Sequence, residues 1–354
     1  MLLSLFRRKP ATTFCDVRKA RDEEWIREGH EGARRRKQKW IREGREETRR
    51  EEKIRMDHEM TEDIQGTLNA IEQHEWLLDW SRFGERVDAL EMLEFQILDR
   101  IENVMYLHGH RTDLAVLYRR AAQLWLRLTD INTQLFQCLH DELVASTNPA
   151  ATLRQQVSTY VGKGTLRDPV GYDDLDVLVN GLFGIDTEPE ETRPLKPGMI
   201  GYQATPARFI LDLVERIPLG PDDVFYDLGS GLGRVALLVG LLTPAQVRGI
   251  EYDPGHCAYA QQCARHLPVS RVRFINADAR DADVADGTVF FMYTPFRGNL
   301  LQNVLDRLKR DAHRRPMTIA TYGPCTLDVA QMDWLALSGS QEPDDRELAI
   351  FQRL

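Results

Sequence analysis

Nowhere in this chain of 354 residues is there a run of the ~18 apolar residues that a membrane-spanning helix needs. The opening MLLSLFRRKP sets its apolar residues ahead of its basic ones and is too short for a secretory leader, so the expected location is cytoplasmic. Cysteine is scarce: Cys15, Cys138, Cys257, Cys263 and Cys325, with no CxxC among them, which excludes a zinc ribbon and a disulfide scaffold. His108 and His110 stand in a short turn without a carboxylate or cysteine set, so no metal is expected. Positive charge is also short outside the N-terminus. Residues 1–60 hold 18 Lys/Arg against 13 Asp/Glu, whereas the remaining 294 hold 28 against 42. An acidic main body lacks the electrostatic footprint of a broad nucleic-acid binder.

What is present falls into four stretches. Residues 1–60 read as a charged helical arm in which Trp25-Ile26-Arg27-Glu28-Gly29 returns as Trp40-Ile41-Arg42-Glu43-Gly44, both Trp-Ile pairs on one side of a helix. Residues 61–164 read as a helical hairpin domain. Trp76, Trp80, Phe83, Val87, Leu90, Ile97, Ile101 and Val104 are spaced by fours and threes along one long helix, broken only at Glu94. After the glycine stop at 109, Leu114, Leu117, Ala121, Leu124, Leu128, Ile131, Leu135 and Leu139 mark the returning helix. Such a seam leaves room for a homo-oligomer through the N-terminal helices. Asn148-Pro149 opens a further helix that ends near Gly162–Gly164. Residues 165–201, rich in Gly, Pro and Asp, read as a linker holding one short helix over Asp173–Leu182.

From 202 to 354 strands and helices alternate, which predicts an α/β domain with a mostly parallel sheet covered on both faces. The strands expected are Val224–Leu228, Val247–Glu251, Val272–Ile275, Val289–Tyr293 and Thr318–Tyr322, with a closing pair at Trp334–Leu337 and Leu348–Arg353. The intervening helices are Ala207–Ile217, Gly233–Leu242, Gly255–Leu267 and Asn299–His313.

The chemistry concentrates in Asp227-Leu228-Gly229-Ser230-Gly231-Leu232-Gly233, between a strand and a helix. Glycines there admit a ligand close to the backbone and expose a helix N-terminus. A dinucleotide site of the G-x-G-x-x-G kind requires glycine at 234, and this chain has Arg234. The acid before the glycines, Asp227, suits a cationic amino-acid tail better than a pyrophosphate. Glu251 ends the second strand, where a carboxylate can take both ribose hydroxyls. Asp278, next to Ala279 after the third strand, is placed to accept from an adenine amine. Three acids at the carboxyl ends of consecutive parallel strands point to one nucleoside ligand.

These residues resemble the class I S-adenosylmethionine (SAM) dependent methyltransferases over roughly 200–354. The resemblance implies a Rossmann-like seven-stranded sheet with an antiparallel last strand, here preceded by an all-α region, and SAM as cofactor held by Asp227, Gly229, Ser230, Gly231, Gly233, Glu251, Asp278 and Ala279. Tyr202-Gln203-Ala204-Thr205-Pro206 together with Asp222–Gly231 is similar to the SAM-binding core of the non-SET nucleosomal lysine methyltransferases. That likeness implies that Tyr202 and Thr205 touch the methionine part of SAM. The fourth strand departs from it: Tyr293 stands where amine methylases place Asn or Asp.

Methyl transfer from a sulfonium needs chiefly alignment and a dry site. The expectation is that Tyr293 and the Pro295-Phe296 turn orient and shield an acceptor that is a protein lysine or a small molecule. The alternative is a non-catalytic SAM-binding or partner-binding scaffold assembled through the N-terminal helices.

Overall fold

The computed structural model describes residues 59–109, 111–161, 172–185, 187–312, 315–339 and 342–354, so nearly all of the charged arm expected over 1–60, and Gly162–Gly164, lie outside the described residues. Residue contacts divide the chain into two units, residues 1–70 with 111–117 and residues 71–110 with 118–354. In the first unit, helical residues 59–70 bury Ile64 and Leu68, and Leu114 and Leu117 are buried as well.

The second unit opens with a departure from the expected continuous seam. Helix α1 (59–73) stops before His74, and Glu75–Leu78 and Trp80–Arg82 form two 3₁₀ turns instead. Arg86 explains the break. Its fully buried guanidinium donates through Nη1 to the carbonyls of Leu77 and Asp79, both at 2.8 Å, and through Nε to Asn132 Oδ1 at 2.6 Å. Carbonyls freed from a helical ladder must find donors, and a buried cation must find acceptors; each supplies the other. Trp76 and Trp80 are accordingly exposed, and the seam begins at Phe83.

The seam then runs through α2 (Phe83–Glu91), a π-helical turn (Met92–Leu98) and α3 (Asp99–His108). The wider π turn shifts the register, so Leu93 is buried where the four-three spacing put Glu94, which stays exposed. Gly109, at φ +82°, ends α3, and α4 (Thr112–Ala145) returns. Tyr118 Oη donates to Glu102 at 2.6 Å and Arg86 reaches Asn132, the pairing of an antiparallel hairpin. Helix α5 (Pro149–Tyr160) starts with the Asn148 cap on Ala151 N. Helix α6 (Asp174–Phe183) starts with a reciprocal capping box between Asp173 and Asp176.

The remainder is the expected α/β domain. After α7 (Ala207–Arg216) come β1 (Val224–Leu228), α8 (Arg234–Leu242), β2 (Gln246–Glu251), α9 (Pro254–Arg265), β3 (Val272–Asn276) and β4 (Val289–Tyr293). Then follow α10 (Gly298–Ala312), β5 (Thr318–Tyr322), a short α11 (Cys325–Val329) with no expected counterpart, β6 (Leu335–Leu337) and β7 (Ala349–Arg353). The sheet order is β3-β2-β1-β4-β5-β7-β6, parallel from β3 through β5, with β7 antiparallel to both neighbours. Side chains alternate between the faces, as a strand's twofold repeat requires. Phe225, Val289 and Phe291 face one core with α7, α8 and α9, which also takes Leu153, Leu178 and Leu182 of the preceding helices. Tyr226, Phe290 and Met292 face the other, filled by Leu301, Val304 and Leu308 of α10.

Candidate active site

Strand β1 delivers Asp227 to the carboxyl edge of the sheet, and the chain then turns through Gly229, Gly231 and Gly233 at φ +85°, +51° and +88°. Every second residue is left-handed, a conformation that costs other residues dearly, and this explains why glycine recurs at that spacing. Gly233 caps α8 rather than opening it. The amides of Gly229 and Ser230 both donate to the Ile250 carbonyl at 2.9 Å, tying the turn to the tip of β2. A Cβ on Gly229 would overlap Pro295, and one on Gly231 would overlap the Tyr202 ring, so both glycines are also packing surfaces.

Glu251, at the end of β2, accepts from Gly231 N at 2.8 Å and Asp253 N at 2.7 Å. Asp227 is buried close by. Its Oδ2 has no hydrogen-bond partner, and neither has the buried Oγ of Ser230. Burial, and then the charge of Glu251, push the Asp227 carboxyl up to about 8. Glu251 is likewise raised by burial, against the amides that it accepts from.

Glu251, Gly229, Gly231, Tyr202, Ala277, Ala279, Tyr293, Pro295 and Phe296 line one cleft, and Tyr202, Thr205, Asp227, Ser230, Arg234 and Tyr293 line an adjoining recess. The structure thus brings together all the expected site residues except two. Gly233 turns into the packing of Phe274 and Ala260. Asp278 does not line the cleft although both its neighbours do. Its carboxylate accepts from Arg280 Nε at 2.9 Å, Arg280 Nη2 at 2.7 Å and Lys196 Nζ at 2.9 Å. The Arg280 bonds, joined by that of Lys196, hold it well below the usual carboxylate range.

Residues 187–203, of which 187–201 belong to the expected linker, form a wall of the cleft. The amides of Thr192 and Arg193 both donate to Asp253 Oδ2 at 2.7 Å. Met199 bridges Phe296, Ile200 N donates to the Pro295 carbonyl at 3.2 Å, and Arg297 N to that of Gly198 at 2.8 Å. On the opposite side Tyr293 stacks on Tyr322, its register partner on β5, with ring centroids 4.9 Å apart, and Phe209 lies 3.9 Å beyond. Burial raises the Tyr293 hydroxyl and pushes that of Tyr322 up to about 12, so both stay protonated at neutral pH. Thr294 follows with φ +42°, the one left-handed non-glycine among the described residues, and strain of this kind gathers at functional loops.

Sequence reasoning missed Tyr172, Asp176, Lys196, Arg208 and Tyr322. Only Tyr322 carried a signal, its place at the carboxyl end of a parallel strand.

The sequence model for the family described as "Histone methylation protein DOT1" matches residues 198–281, the span from the end of the cleft wall through the glycine turn, Glu251 and Asp278. This chain is a SAM-dependent methyltransferase. Its cofactor is SAM, and its fold is the expected seven-stranded, mostly parallel sheet with an antiparallel last strand. Among solved structures it is similar to an RNA methyltransferase from Salinibacter ruber, at 22% identity over 43% of this chain and 92% of that one, with a TM-score of 0.34. It is similar also to a precorrin-6y C5,15-methyltransferase from Geobacter metallireducens, at 16% identity over 43% and 89%, TM-score 0.34. A mutant MtNAS in complex with S-adenosylmethionine aligns at 12% identity over 82% and 96%, TM-score 0.33. No curated protein matches the chain in sequence.

Proposed function

We propose that the cleft between the glycine turn, the tip of β2 and the 187–203 wall holds SAM, and that a methyl acceptor, a protein or a small molecule, is presented from the tyrosine side next to Tyr293. One observation carries this reading: the buried Asp227 Oδ2 has no partner and lies beside a second buried carboxylate. A like-charged pair away from water is unfavourable unless a cation joins it. The ammonium of an amino-acid tail is such a cation, and Gly229 and Gly231 line the cleft in which that tail would lie. The residues present therefore fit the cofactor.

In this reading Asp227 takes the ammonium, Tyr202 and Thr205 border the same tail, and Glu251 uses its remaining lone pairs for the ribose. Ala277 and Ala279 flank the base, and Gly229, Ser230 and Gly231 form the floor. When bound, SAM supplies an electrophilic methyl on a sulfonium whose charge disappears on transfer. The protein's part is to exclude water and aim the acceptor. Tyr293 offers a neutral hydroxyl that can give or take one hydrogen bond at the acceptor atom. The strained Thr294-Pro295 turn sets the direction of that hydroxyl, and Phe296 closes the apolar side.

The test is labelled-methyl transfer to fractionated cell extract, alongside calorimetry with SAM. The expected result is SAM binding and labelled product with the wild-type chain and neither with Gly231→Arg. Absence of SAM binding by the wild type would end this reading.

A further inference from the structure

We infer that Arg208 is the recognition residue for the acceptor, and that the acceptor carries an oxyanion, a carboxylate or a phosphate. The inference rests on the reading that transfer takes place beside Tyr293.

Arg208 is the second residue of α7, three residues after Thr205. Its Nε, Nη1 and Nη2 are all shielded from solvent, and none has a hydrogen-bond partner. Among the described residues the carboxylate paired with it is Asp173, whose Oδ2 lies 3.5 Å from Nη1, while Asp173 Oδ1 caps α6 through Leu175 N. The buried guanidiniums of Arg86 and Arg234 each leave one nitrogen without a partner, Nη2 and Nε respectively, but are otherwise bonded. Arg86 makes three hydrogen bonds, and Arg234 makes three, to Asp176, Asn180 and Thr205. Five donors withdrawn from water with one carboxylate at ion-pair distance and no hydrogen bond are a penalty, and a native fold that keeps such a group keeps it for something that arrives later.

Its position says what arrives. The guanidinium lies 5.0 Å from the Phe209 ring, Phe209 stacks on Tyr322, and Tyr322 stacks on Tyr293, which lines the cleft. Its charge reaches the Tyr322 hydroxyl, where it opposes the upward push of burial. Arg234 faces Tyr172 on the same side at 5.8 Å, and its own counter-charge, Asp176, is already committed. An ammonium on the acceptor would meet repulsion here, whereas an oxyanion would meet a planar fork suited to two parallel hydrogen bonds. The absence of an amine-orienting Asn or Asp at 293 agrees with this. The Tyr293–Tyr322 pair then presents a neutral hydroxyl and an aromatic face to an acceptor anchored at its anionic end.

The experiment uses the full chain saturated with S-adenosylhomocysteine and follows Tm during titration with sodium acetate or sodium phosphate, ionic strength held constant with sodium chloride. The expected result is a rise of several degrees in tens of millimolar of one anion, the acetate arm marking a carboxylate acceptor and the phosphate arm a phosphate. Arg208→Gln loses the rise, keeps its affinity for S-adenosylhomocysteine within about twofold, and starts from a Tm close to that of wild type, since it gives up the 3.5 Å pair with Asp173 and the Phe209 contact but no hydrogen bond. Arg208→Lys keeps the charge without the fork and shows a smaller rise. The inference is overturned if neither anion exceeds chloride, if Arg208→Gln responds like wild type, or if both variants start several degrees low, which marks a structural arginine. Failure of the cofactor reading is seen separately, as calorimetry in which the wild type does not bind S-adenosylhomocysteine.

Discussion

Arg234 and Asp176 form an ion pair in which only 5% and 4% of the side chains are exposed, joining the first residue of α8 to the capping box of α6. Arg234 also donates to Asn180 Oδ1 and the Thr205 carbonyl, and Asp176 also accepts from Ala207 N. The residue directly after the glycine turn is thereby fastened to the helix that precedes the sheet domain. Burial pushes the Asp176 carboxyl up and Arg234 opposes it, so the pair persists in the interior because each charge is the other's solvent.

Removing one partner leaves the other buried and uncompensated, which costs about 3–5 kcal/mol. Asp176→Ala is therefore expected to lower urea-denaturation stability by that order, and Arg234→Met likewise. The double variant should lose much less than the sum, since no orphan charge is left in it. An Asp176→Ala stability within about 1 kcal/mol of wild type would sink this account.

Asp227 makes stability and cofactor affinity move in opposite directions with pH. Its folded value of about 8 lies above that of an unfolded aspartate, ~3.9, so between the two the folded state holds a proton that the unfolded state has released. The ligand-free protein should lose stability as pH rises through that window, by up to ~1.4 kcal/mol per pH unit from this group alone. Affinity for SAM should rise over the same window, because an ammonium prefers the ionised acid. Asp227→Asn is expected to raise Tm without ligand at pH 7.5, flatten the pH dependence and weaken SAM binding at least tenfold. Denaturation and calorimetry at a series of pH values check both signs; a Tm that climbs from pH 5 to 8 by the wild type's Asp227 contradicts them.

Tyr293→Phe removes the hydroxyl and keeps the stack on Tyr322. Affinity for SAM should stay within about twofold, while turnover on an identified acceptor falls by roughly 10- to 100-fold, the scale of one lost positioning hydrogen bond at ~1.4–3 kcal/mol. Single-turnover kinetics separate the two. Full turnover in Tyr293→Phe means that the hydroxyl does not orient the acceptor.

The glycine turn, Glu251 and the parallel strands were legible because each follows from local rules: a period of two in buried strands, left-handed residues as glycine, ligands at strand tips. The break at His74 was not, because it depends on Arg86 reaching across the hairpin to Asn132, a contact between residues far apart in sequence. Nor was the engagement of Asp278 visible, since Lys196 lies 82 positions before it. Arg234 was used only to exclude a dinucleotide, although its positive role is to bind Asp176. Long-range polar partners leave no periodic trace, and in this chain they decide how the segment before the sheet meets the cofactor edge.

Lys196 bears on whether Asp278 serves the adenine. The bidentate pair with Arg280 occupies one face of the carboxylate, and Lys196 takes Oδ2 from the wall side. An exocyclic amine seeking that oxygen has to compete with the lysine. The wall has other anchors, Thr192 and Arg193 on Asp253 and the backbone bonds around Gly198 and Ile200, so losing one half-exposed lysine should not unseat it. Lys196→Met is therefore expected to tighten SAM binding a few-fold and to make that affinity less sensitive to salt. Whatever stability it costs should appear at neutral pH and vanish in acid: Asp278 has a depressed value, so its contribution holds above ~3.9 and fades as pH falls below. A weaker SAM affinity in calorimetry on Lys196→Met would instead make Lys196 itself a cofactor contact, with Asp278 serving only to hold it in place.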